Sequence, residues 1–207
     1  MTDKDLTLAA GNSSVDQGKG GAPIFMMGGL APSLEYGVLR RSYRGQENNA
    51  HDWVHAKLHP DQAHAPPVQS VAWSPNCARH DVLLPTGASD SFLNPALLVH
   101  SFEAEAGAYR KDLIVHLKLT APSDGAPLHE FWERVRTFAR TAVVNEAGLP
   151  TIIVLHNPAL TVMRHPPAAH VHLIAMARRL EPRGWGAATD RANDEAHDHW
   201  AAKWSET

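Results

Sequence analysis

Two segments decide the fold: Thr151-Ile152-Ile153-Val154-Leu155-His156 and Ala169-His170-Val171-His172-Leu173-Ile174-Ala175-Met176. Each is a short, β-branched apolar run, and the intervening 157–168 stretch is rich in proline, so both read as strands with a loop between them. Residues two apart on a strand share a face, so His170 and His172 stand side by side while Val171 packs on the other face. Antiparallel pairing would bring His156 alongside them, giving three imidazoles able to hold a divalent ion with a position open for substrate. Spacing alone is weaker evidence than it looks. With 14 histidines in the chain, about one His-x-His pair arises by chance, and hydrogen-bonded sheet histidines are the commoner account of such a pair. The other pair, His197-Asp198-His199, falls in a polar helical segment where residues two apart diverge, and it reads as surface composition.

Working outward, Leu113 to Leu119 is a third strand with β-branched residues at its centre. Leu128, Phe131, Trp132, Val135, Phe138, Ala139 and Ala142 recur at helical spacing up to Gly148, which gives an amphipathic helix over 128–147. The expected fold class is therefore α+β: an antiparallel β-sheet with helices packed on one face, and the 128–147 helix on Val171, Leu173 and Ala175. Asn94-Pro95 opens another helix running to Ala106. Pro23 to Met27, Val68 to Trp73 and Asp81 to Leu84 are further strand candidates. Ser33 would cap a short helix carrying Leu34, Val38 and Leu39, with Tyr43 near its end. A terminal, exposed helix is expected from Asp194 to Trp204.

The first 22 residues have few large apolar side chains and read as a disordered tail, with a single domain over 23–207. The one cysteine, Cys77, excludes an internal disulfide framework. No apolar run reaches membrane-spanning length and no signal peptide is visible, so a cytoplasmic protein is expected. A net charge of -3 argues against non-specific adhesion to nucleic acid, so any such site is local. Arg40, Arg41 and Arg44, and after the histidine pair Arg178, Arg179 and Arg183, are the two basic clusters available.

A series of short motifs occurs in a recognisable order. Arg40-Arg41-Ser42-Tyr43-Arg44-Gly45 is followed by His51-Asp52-Trp53, by Tyr109-Arg110-Lys111-Asp112-Leu113, and by Phe138-Ala139-Arg140 with Gly148. Val154-Leu155-His156 comes next, then Ala169 to Ile174, Arg178-Arg179-Leu180 and Gly184-Trp185-Gly186. From Leu39 onward this order resembles the MobA/MobL family of plasmid mobilisation relaxases, and the last block is its most specific part. The resemblance implies an HUH-type relaxase palm in which His156, His170 and His172 hold a divalent cation: Mg²⁺, Mn²⁺ or a different transition ion. It implies Tyr43 as the nucleophile that attacks a DNA phosphodiester and leaves a 5′-phosphotyrosyl enzyme. Arg40, Arg41, Arg44 and Arg178 would contact single-stranded DNA at a transfer origin, with accessory mobilisation proteins as possible partners. Neutral imidazoles suit transition ions better than Mg²⁺, which prefers oxygen.

Tyr36 and Tyr109 are the other tyrosines, ranked below Tyr43. Without the resemblance, Tyr43 reads as an edge aromatic, and Asp112 as an exposed strand-start residue more readily than as an acid orienting a ligand histidine. Ala168-Ala169 stand where the family usually carries Asn or Pro. Two other readings stay open: a DNA-binding or metal-stabilised module without an effective nucleophile, and a histidine-triad nucleotide hydrolase. The latter needs a third alternating histidine where Ile174 stands.

Overall fold

The structure is a computed structural model, and it describes residues 33–62, 65–67, 70–106, 110–123, 126–158, 168–193 and 195–207, with 25–28 as backbone. Its centre is a six-stranded antiparallel sheet. In chain order the strands are β1 (Phe25–Gly28), β2 (Leu34–Arg40), β5 (Arg79–Leu83), β6 (Asp112–Thr120), β7 (Thr151–His156) and β8 (His170–Met176), arranged β1-β2-β6-β8-β7-β5. A two-residue pair, β3 (Ser42–Tyr43) with β4 (Gln46–Glu47), follows β2, and a hairpin of β9 (Arg178–Glu181) and β10 (Gly184–Ala188) follows β8. The helices are α1 (Ala50–Leu58), α2 (Pro95–Ala106), α3 (Leu128–Phe138) and α4 (Ala196–Ser205).

The expected strands at 113–119, 151–156 and 169–176 are neighbours in the sheet, with β8 in the middle. The amphipathic helix lies where its apolar stripe demands. Phe131, Val135 and Phe138 are buried in one core with Val115, Leu117, Val171, Leu173 and Ala175. From Ala139 to Glu146 the helix continues with π-type turns, which widen its buried arc to include the adjacent Val143 and Val144. Gly148 then stops it with φ +73°, a conformation that favours glycine.

The other face of the sheet is covered as well. Leu39, Ile114, Ile152, Val154, Ile174 and Met176 form a second core with Trp53, Val54 and Leu58 of α1 and Leu98, Val99 and Phe102 of α2. The α+β class therefore stands, with helices on both faces.

Some local expectations are corrected. Leu34 to Arg40 is a strand, because Leu34, Tyr36 and Val38 alternate onto the α3 face and Gly37 weakens a helix. Ser33 is a tether: its carbonyl accepts from Thr120 N–H and its hydroxyl from the Trp204 indole N–H at 3.2 Å. Tyr43 is not at a helix end. It pairs with Gln46 across the two-residue loop Arg44-Gly45, whose φ values of +50° and +78° are those of a type I′ hairpin. Ser70 to Trp73 form no strand. Helix α4 is not an exposed appendage, since Trp200 and Trp204 are buried in the α3-side core and His197 is 4% exposed. The proposed tail, 1–22, lies outside the described residues.

Helix α1 was not legible as a helix, yet its start is well built. The Asn49 side chain accepts from Asp52 N–H, and the Glu103 carboxylate accepts from Ala50 N–H, satisfying otherwise orphaned donors. His51, His55 and His59 follow at four-residue spacing, with His55 stacked on His59 at 3.9 Å and Trp73 edge-on to all three.

Two predictions follow from this packing. Phe138→Ala should cost about 3–5 kcal/mol, the range for truncating a buried aromatic, measured by urea unfolding. Burial, then the neighbouring His59 and His51, push His55 down to about 4. Its unfolded form takes up a proton below about pH 6.5 and its folded form only near 4. The stability linked to this group is present above pH 6.5 and lost as pH falls from there through 4. His55→Phe should flatten thermal stability over that window, without abolishing the fall, because His80, His116 and His172 are also depressed.

Candidate metal centre

The pairing of β7 with β8 places His156 directly opposite His170 and Val154 opposite His172. Because side chains alternate, the three imidazoles project from the same sheet face, the one shared with α1. Their ring centroids form a compact triangle: 5.3 Å for His156 to His170, 4.8 Å for His156 to His172, and 4.9 Å for His170 to His172. One ligand atom from each lies within 4.8 Å of the others, close enough to bind a metal. His172 is buried, while His156 and His170 are partly exposed, so the centre has an inner wall and an open side.

The hydrogen bonds say which nitrogens would act as ligands. His156 Nε2 lies 2.7 Å from the Lys57 carbonyl and His170 Nδ1 lies 3.0 Å from the Ala168 carbonyl. A carbonyl only accepts, so those nitrogens carry the proton, and Nδ1 of His156 and Nε2 of His170 would be the ligating atoms. His172 Nδ1 lies 2.9 Å from His116 Nε2, which leaves Nε2 as its ligating atom. Burial first, and Lys57 second, hold the His172 imidazole well below the ordinary histidine range. It is therefore neutral at physiological pH, the form that ligates. Three neutral nitrogen donors, each oriented through its other nitrogen, fit a borderline divalent ion. On the same face, Lys118 stands beside His172 in register and is paired with Glu35 at 3.1 Å.

The remaining candidate residues are elsewhere. β2 runs away from the histidine row: Glu35 is in register with Lys118 and thus with His172, whereas Arg40 pairs with Asp112 at the far end of β6. At roughly 3.4 Å per residue, this sets Arg41 about 20 Å along the sheet, and Tyr43 follows two residues later. Tyr43 and the three histidines are not brought together. Arg44, exposed, lies over the Tyr43 ring at 5.2 Å. Arg40 is paired with Asp112 at 3.5 Å and Arg41 with Glu103 at 2.7 Å.

Arg178 is 7% exposed and donates to the carbonyls of Trp185 and Gly186, fastening the β9–β10 hairpin. Asp112, at the opposite end of β6, does not orient a ligand histidine. Tyr36 projects to the other face, buried, with its hydroxyl 2.7 Å from the Asn193 carbonyl. Tyr109 lies outside the described residues.

Sequence reasoning missed His116, Lys57 and Trp53 as parts of the centre. The available signal was His116 and Lys118 alternating with apolar residues, which puts a polar row on the face that carries the histidine pair.

No family model matches the chain, and no curated protein matches it. Among solved structures, it is similar to one described as the molecular basis of vancomycin resistance transfer in Staphylococcus aureus. The identity is 19% and the TM-score 0.52, over 64% of this chain and 68% of that chain. At this identity the likeness concerns the fold alone, and this chain's fold is α+β. No helix among the described residues is long and apolar enough to cross a membrane.

Calorimetric titration with Mn²⁺ or Co²⁺ should show one site per chain. The double variant His170→Ala, His172→Ala should lose at least about 100-fold in affinity, since two of three nitrogen donors are removed. Unchanged affinity would place the ion elsewhere.

Proposed function

We propose that this chain is a divalent-metal-dependent DNA-processing domain of the relaxase type, acting on single-stranded DNA during plasmid transfer. The observation that carries the proposal is the imidazole triangle of His156, His170 and His172 on a relaxase-like sheet. A divalent cation held there would polarise a phosphoryl oxygen and offset charge developing on the transferring oxygens. The chain's own residues supply the rest of the site. The Lys57 and Ala168 carbonyls hold two of the ring orientations, and Lys118, beside His172, would meet an adjacent phosphate by exchanging its Glu35 partner for it.

In the finer form of the proposal, the Tyr43 oxygen bonds to phosphorus and the bond from phosphorus to the 3′ oxygen breaks. The departing strand end takes a proton as a free 3′-hydroxyl, and the 5′ end stays on tyrosine. Arg44, beside Tyr43, would contact the flanking backbone. Arg40 and Arg41 would join it only by exchanging their carboxylate partners for phosphates.

One observation favours a second reading, a metal-centred DNA-binding module without a nucleophile of its own. Tyr43 sits on a hairpin beyond the far end of β2, so attack at the metal requires the 41–48 segment to move along the sheet or DNA to bridge the two places. Incubating the protein with labelled random-sequence single-stranded DNA and Mn²⁺, then resolving it on a denaturing gel, separates the readings. The tyrosine reaction gives a covalent adduct that Tyr43→Phe abolishes while metal affinity stays unchanged, because only the nucleophilic oxygen is removed. Mn²⁺-dependent retention of DNA with no adduct from any variant establishes the binding module. An adduct that survives Tyr43→Phe reassigns the nucleophile.

A further inference from the structure

Behind the three-histidine centre lies a fourth imidazole, His116 on β6. It is completely buried, and its Nε2 is 2.9 Å from Nδ1 of His172. The two rings stack at 5.0 Å between centroids, with planes 25° apart. Trp53 of α1 closes the site edge-on to His116 at 5.6 Å, and the Lys57 ammonium lies over the Trp53 ring at 4.6 Å. On the neighbouring strand, the residue in register with His116 is Gly37, which places no side chain against the imidazole. His116 Nδ1 has no hydrogen-bond partner, so the ring's only polar attachment among the described residues is His172.

A buried histidine whose single polar contact is a ligand nitrogen is costly to keep as mere filling, because its second nitrogen is desolvated without compensation. We propose that His116 is a positioning residue for the metal centre: its Nε2 accepts the Nδ1 proton of His172 and thereby presents Nε2 of His172 to the ion. This rests on the metal centre proposed above.

The alternative tautomer has His116 donating to His172 Nδ1. It would put the His172 proton on the nitrogen facing His156 and His170, where a ligand must have a lone pair. Metal binding and the acceptor form of His116 therefore favour each other. Together with the Lys57 carbonyl on His156, this makes α1 and β6 the bracket that orients two of the three ligands. The acceptor is neutral, so it fixes orientation without adding negative charge to the centre.

The test compares the wild type, His116→Leu and His116→Gln by Co²⁺ titration at pH 8, followed through the ligand-field absorption of the bound ion. Circular dichroism and metal-free melting report folding in the same samples. Leu fills the space and removes the acceptor, and should weaken Co²⁺ binding about 10–100-fold, the usual cost of losing a ligand's hydrogen-bond partner. Gln places a carbonyl oxygen near the former Nε2 and should recover most of the affinity and the wild-type absorption spectrum. A merely structural role would move melting without this split between Leu and Gln. The proposal is overturned if folded His116→Leu binds Co²⁺ as the wild type does, or if folded His116→Gln fails as badly as Leu. If the wild type itself binds no Co²⁺, the metal centre falls and this inference with it, an outcome distinct from equal binding by all three proteins.

Discussion

The registration of β8 between β7 and β6 is the constraint on which the rest of the molecule depends. His156 opposite His170, and Lys118 opposite His172, are consequences of one pairing register on each side of a single strand. A slip of one residue on either side would send alternate side chains to the wrong face. Val171, Leu173 and Ala175 would then leave the α3 core, and His170 and His172 would enter it. The apolar alternation that holds β8 in register is thus the device that aims the imidazoles, and the stability of the sheet and the geometry of the centre are one property.

The two faces of the sheet divide the work. The α3 face is closed by a continuous apolar core reaching Trp132 and Trp200, both fully buried. The α1 face is apolar only over one end, around Ile114, Ile152 and Met176, and turns polar where His116, Lys118, His156, His170 and His172 line up. Helix α1 sits at the boundary. Its Trp53, Val54 and Leu58 bind the apolar end while its Lys57 carbonyl reaches His156. Anything that loosens α1, including protonation of its histidine stack, therefore acts on the His156 imidazole as well as on packing.

This division also explains the distribution of arginines. The charge expected to meet DNA near Tyr43 is largely engaged by Asp112 and Glu103, and Arg178 is locked to carbonyls of its own hairpin. Guanidinium groups with several donors close irregular backbone as readily as they bind phosphate, and spacing along a chain does not distinguish the uses. The tyrosine hairpin and the imidazole triangle are at different ends of the same strands, a separation set by strand length.

What could be read without coordinates was what depends on short-range periodicity. The strands at 113–119, 151–156 and 169–176, the stripe of 128–147 and the shared face of His170 and His172 all follow from alternation or helical recurrence over neighbouring residues, and His156 joins them through the pairing of consecutive strands. Leu34 to Arg40 misled because Leu34, Val38 and Leu39 also satisfy a helical spacing, and only pairing with β1 and β6 decides for the strand. Helix α1 was hidden because its buried face mixes His51 and His55 with Trp53, Val54 and Leu58, which blurs the apolar periodicity. The acceptor behind His172, the Lys57 carbonyl on His156 and the Glu105 carbonyl on Arg178 join residues 56, 99 and 73 apart in the chain, and the remoteness of Tyr43 is likewise a matter of distant segments. They are settled by which strands neighbour which and where each begins. Local pattern determined which faces are apolar and which histidines share one. Strand order and register, long-range hydrogen-bonding choices with no local signature, decided what stands behind that face and how far the tyrosine lies from it.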